Sequence, residues 1–112
     1  MAKKSESKKE YINYLNRSKA VISSPQSLTA TSGDSNGEID LIWEPVYGAR
    51  TYVVQRSIRS AEPGRWTQED IITKSSYTVS KLKSGQKYWF RVAAVGSSGQ
   101  GPWSEPVQKK VP

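Results

Sequence analysis

Residues 86–95 constrain this chain more than any other stretch. Tyr88, Phe90, Val92 and Ala94 alternate there with Lys87, Trp89, Arg91 and Ala93. A period of two over that length belongs to a β-strand with one face toward a core. Such a face is stable only against a second packed layer, so a chain built around it is a layered β-protein. Ser84-Gly85 before the run and the glycine-rich residues 96–102 after it are turn formers, and they set its limits. The second of these predicts a hairpin loop.

The rest of the chain from Pro25 repeats this pattern in shorter units. Ser27 to Thr31 is β-prone, and residues 31–37 form a turn cluster ending in Asn36-Gly37, types that tolerate positive φ. Ile39, Leu41 and Trp43 then alternate, with Pro45 and Gly48 closing the run. Residues 51–56 follow, with Tyr52 and Val54 on one face. Glu62-Pro63-Gly64 turns the chain into a looser strand region over 65–72 that carries Trp66. Tyr77 and Val79 mark another strand, and residues 104–111 run back as a last one. About seven strands, with turn signals every 8–12 residues, predict an antiparallel sandwich.

Composition excludes several kinds of chemistry. The 112 residues include no cysteine and no histidine. Disulfide scaffolds, Cys-ligated zinc and thiol nucleophiles are therefore out, and so are histidine general bases and the Ser-His pairing. No stretch approaches the ~18 apolar residues of a spanning helix, so membrane insertion is not expected. Residues 34–40 (Asp-Ser-Asn-Gly-Glu-Ile-Asp) loosely resemble a calcium loop. Alignment, however, puts Ser32 at the first ligand position and Trp43 where a bidentate Glu belongs. The remaining carboxylates form no pair suited to hydrolysis. No metal, no cofactor and no catalytic residue are expected.

The formal charge of +7 is unevenly placed. Residues 1–22 hold six basic side chains against two acidic ones, a net +4, which leaves +3 for the remainder. Tyr11, Ile12 and Leu15 give a partial helical spacing, so residues 1–24 are read as a basic N-terminal arm, flexible or partly helical. Asn16-Arg17-Ser18 matches a glycosylation sequon, a short match that arises easily by chance. The arm supports one alternative function: electrostatic binding of nucleic acid or an anionic surface.

Several motifs in fixed order carry a family resemblance. Pro25 and Leu28 open the first strand, Ile39-x-Leu41-x-Trp43-x-Pro45 forms the second, and Gly48-Ala49-x-x-Tyr52-x-Val54 the third. Leu82-x-x-Gly85-x-x-Tyr88-x-Phe90-Arg91-Val92-x-Ala94-Val95 follows, then Gly99-x-Gly101-Pro102-Trp103-Ser104. Residues 25–112 thus resemble a fibronectin type III domain, most like bacterial members of the family. The resemblance implies an all-β, immunoglobulin-like, seven-stranded antiparallel sandwich. It also implies a core of Trp43, Tyr52, Val54, Leu82, Tyr88, Phe90 and Val92, with Ile39 and Val79 completing it. Tyr88 would be the tyrosine corner, its hydroxyl returning to backbone near Leu82.

The outward face of residues 86–95 holds the candidate site. Trp89 and Trp103 around Arg91, with Gln55 alongside, suggest a cation–π ladder. Trp103-Ser104 is similar to half of the Trp-Ser motif that stacks on arginines in cytokine-receptor domains of this fold. The other half is missing, since Glu105-Pro106-Val107 follows. Such a ladder either only protects the sheet or forms a partner-binding face. The loop over 96–101 is a second candidate, although no Arg-Gly-Asp occurs in the chain. The resemblance implies a non-enzymatic module for binding or spacing within a larger protein, often extracellular or at the cell surface. Its expected partner is a protein or carbohydrate, and the isolated domain is expected to be monomeric.

Overall fold

A computed structural model describes residues 22–58 and 65–112. The expected helical spacing and sequon of the N-terminal arm, and the turn at Glu62-Pro63-Gly64, lie outside the described residues. The strands are β1 (Thr29–Ser32), β2 (Ile39–Ile42), β3 (Thr51–Ser57), β4 (Thr67–Ile72), β5 (Ser76–Val79), β6 (Lys87–Gly96), β7 (Gly99–Trp103) and β8 (Val107–Lys110). Two antiparallel sheets face each other. One has the order β1-β2-β5; the other has β4-β3-β6, with β7 and β8 both pairing with β6.

Eight strands stand where about seven were expected, because the last one is broken. β7 pairs with the C-terminal half of β6 and β8 with its N-terminal half. Between them Ser104 is buried, donates its N–H to the Val92 carbonyl at 2.8 Å and accepts the Val92 N–H on its Oγ at 3.0 Å. Pro106 then brings no N–H to a ladder, which ends pairing until Val107. The expected loop over 96–102 is correspondingly shorter, since β7 already begins at Gly99. The first strand starts two residues later than its β-prone sequence, after Ser27, whose φ of 58° is left-handed.

The core lies where the alternation places it. Trp43, Tyr52, Val54, Leu82, Tyr88, Phe90 and Val92 are all buried, with Ile39, Leu41, Val79 and Ala94 in the same cluster. Trp43 meets Tyr52 edge-on, with ring centroids 5.3 Å apart. Two tyrosines tie this core to backbone. The Lys83 N–H donates to the Tyr88 hydroxyl at 3.1 Å, which is the corner beside Leu82. The Val46 N–H donates likewise to Tyr52 at 2.9 Å, a bond with no sequence signature. Without a disulfide, these contacts and the aromatic packing hold the sheets together.

Two glycines are fixed by their surroundings. Gly37 has a φ of +81°, and a Cβ there would lie 2.9 Å from the Leu82 carbonyl oxygen. Its own carbonyl accepts the Leu82 N–H, locking the β1–β2 turn to the segment before β6. At Gly101 a side chain would run into Ile22. Ile22 lies on the arm side of the expected boundary, yet it is partly buried against the core.

Candidate functional site

The outer face of the larger sheet is built by the register of β3, β6 and their neighbours. Gln55 lies opposite Arg91, Val53 opposite Ala93 and Ser57 opposite Trp89. On the other side of β6, Trp103 faces Ala93, and Gln108 and Lys110 face Trp89 and Lys87. Since alternate residues of a strand share a face, all of these project away from the core.

Arg91 is the centre of this face. Its guanidinium carbon lies 4.0 Å from the Trp103 ring centroid and 4.4 Å from that of Trp66. Its Nε and Nη2 both donate to Gln55 Oε1, at 2.9 and 2.7 Å. The cation is thus held between two indoles and oriented by an amide, and burial pushes it below its ordinary pKa. Two contacts of this kind on a partly desolvated guanidinium each contribute about 0.5–2 kcal/mol.

The ladder corrects the sequence expectation in one member. Trp66, and not Trp89, is the second ring on Arg91. Trp89 is two positions along the same strand, roughly 7 Å away, whereas adjacent strands bring side chains within about 5 Å. Trp89 is half-buried on the same face, between Ser57 and Gln108.

A β-bulge puts Trp66 there. Val54 pairs with Asp70 but Gln55 pairs with Gln68, so Glu69 is an extra residue in β4. In an unbulged ladder Trp66 would have the parity of inward-facing positions; one extra residue reverses it. The same shift turns Glu69 away from the outer face. Its carboxylate reaches Arg56 Nε at 3.4 Å, and the Arg56 guanidinium lies over the Tyr88 ring, on the core side.

A groove lies along one edge of the sandwich, between β4 of the larger sheet and β2 and β5 of the smaller. This groove of about 810 Å³ is lined by Ile42, Ile71, Tyr77, Asp40 and Lys74, among others. Ile42 and Ile71 are exposed. Asp40 accepts the Thr78 hydroxyl at 2.7 Å. Burial raises the Tyr77 pKa, reinforced by the nearby Asp70 and Glu69 carboxylates. Among the described residues no group of Asp and Glu is placed to hold a metal ion. No helix there is long and apolar enough to cross a membrane.

The sequence model for the fibronectin type III domain matches residues 23–110. The chain belongs to the fibronectin type III family. It is 31% identical over 97 residues to receptor-type tyrosine-protein phosphatase F of Danio rerio, covering 82% of this chain but 5% of that protein. The crystal structure of an Fn3-like protein from Clostridium thermocellum superposes with a TM-score of 0.72 at 29% identity, covering 80% of this chain and 92% of that one. The FN5 domain of Drosophila Lar gives 0.65 at 26% identity, over 82% and 98%. A fibronectin type III fold of this kind is a module of larger proteins, and the chain spans only a small part of the zebrafish relative.

Proposed function

We propose that this fibronectin type III domain is a non-catalytic binding module whose partner, a protein or carbohydrate, docks on the outer face of the larger sheet. The observation that carries this reading is the Trp66–Arg91–Trp103 stack with Gln55 behind it. Tryptophan and arginine are the residue types that dominate binding hot spots, and here they pack on one another without a ligand. Trp89, Arg91, Trp103 and Gln55 form the contact set expected from sequence, and Trp66 joins it. The core packs on the opposite side of β3 and β6, so Gln55→Ala and Trp103→Ala leave the core contacts in place.

The test is a screen of the full chain against a glycan array and a peptide library, with Gln55→Ala and Trp103→Ala run beside the parent. Hits of the parent should weaken about tenfold in both variants, while circular dichroism shows the sandwich intact. Hits that bind both variants as tightly as the parent would refute the reading.

A further inference from the structure

The charges of the described strands are sorted by face. Every strand carboxylate lies away from the outer face of the larger sheet. Asp40 is on β2 and bonded to Thr78, Glu69 is turned to Arg56 by the bulge, and Asp70 lies opposite the inward Val54. The outer face instead carries Arg91 and the exposed Lys87 and Lys110, and no strand position on it is Asp or Glu.

Lys87 and Lys110 are direct cross-strand partners. Like charges in that position repel and weaken the pairing. A carboxylate seated between them would remove that repulsion. Four residues along β6, about 13 Å away, Arg91 supplies the third positive charge. Between and beside these cations are amides: Gln108 opposite Trp89, and Gln68 opposite Gln55. Both glutamines are exposed.

Resting on the binding face described above, we infer that its occupant is an extended acidic polypeptide segment. Its carboxylates pair with Lys87 and Lys110, and its peptide groups meet the glutamine amides. The indole faces turned to Arg91 are closed to ligands that bind by stacking. Trp66 and Trp103 each already give a ring face to Arg91. A base or a sugar ring needs such a face free. Three cations spread over a whole sheet face are also sparse for a polyphosphate, which is bound by dense arrays of phosphate contacts. Sparse charge with interleaved amides suits side-chain carboxylates on a peptide backbone, which presents its own donors and acceptors between them.

The experiment is a residue-resolved NMR titration of the full, nitrogen-15-labelled chain with a short poly-L-glutamate peptide. Heparin and single-stranded DNA serve as separate probes. Poly-glutamate should shift the indole N–H signals of Trp66, Trp89 and Trp103 and the amides around Lys87 and Lys110. The double variant Lys87→Gln/Lys110→Gln should weaken this face-mapped affinity about tenfold. It should melt no lower than the parent, since a repulsion has been removed. Lys81→Gln/Lys83→Gln should stay within about twofold of the parent.

Shifts confined to residues 1–22, or a Lys87/Lys110 variant that binds like the parent, would overturn the inference. Heparin or DNA shifting the face while poly-glutamate does not would also overturn it, yet leave the face standing as a binding surface. That outcome separates this failure from failure of the broader reading, which the Gln55 and Trp103 variants decide.

Discussion

Replacing Arg91 with alanine removes the centre of the outer face while leaving every core side chain in place. Three interactions go with it: ring contacts at 4.0 and 4.4 Å and the forked bond to Gln55. At this half-buried position each ring contact is worth about 1 kcal/mol. The hydrogen bond to a charged donor adds about 1.5 kcal/mol. Water can replace the bond to Gln55, and the two indoles can close partly on one another, so the net loss is about 2–3 kcal/mol. For a domain of this size that lowers Tm by about 10–20 °C.

Arg91→Lys keeps a cation near the rings but loses the planar fork, and should cost about half as much. Urea unfolding followed by tryptophan fluorescence reads both variants, and an unchanged m-value shows that the same surface still unfolds. An Arg91→Ala variant within about 0.5 kcal/mol of the parent, the range of an ordinary surface change, would refute the reasoning.

Other expectations are more local. Tyr88→Phe deprives the Lys83 N–H of its acceptor and should cost about 1 kcal/mol in the same assay. Gly37→Ala forces a side chain into a left-handed position against the Leu82 carbonyl, and should lower stability by about 1–3 kcal/mol in urea melts. Tyr77 keeps its proton more tightly when folded, through burial and then through Asp70 and Glu69. The unfolded chain therefore loses that proton first: stability is full below pH ~10 and falls as pH rises through the folded value. Tyr77→Phe should flatten that alkaline fall in melts run across the range; an unchanged slope would assign the fall to other groups.

How much of this was legible in the sequence follows from what each feature depends on. Tyr88, Phe90, Val92 and Ala94 announce their face because strand periodicity is a local property. Trp43 shares its face with Ile39 and Leu41 by the same alternation, whereas the Leu82–Tyr88 corner is legible through the resemblance to the family. Alternation turns Arg91 outward, and the neighbouring strands expected on either side bring Gln55 and Trp103 beside it. Trp66 could not be placed there, because its direction depends on a single extra residue in the strand that follows it, and nothing around Glu69 marks a bulge. The division of the last strand was hidden for a similar reason. Ser104 replaces a ladder bond with its own side chain, and only the pairing with Val92 reveals it. The open groove beside Tyr77 depends on how two sheets part at an edge, which no single strand encodes.

Everything proposed for the outer face depends on Arg91 sitting between Trp66 and Trp103 in the free domain. Proton chemical shifts of the Arg91 side chain test it most directly, because protons over aromatic rings are displaced upfield. Strongly upfield Arg91 δ and ε protons are expected in the parent, with part of the displacement lost in Trp66→Ala and part in Trp103→Ala. Arg91 protons at random-coil positions, unmoved by either substitution, would contradict it.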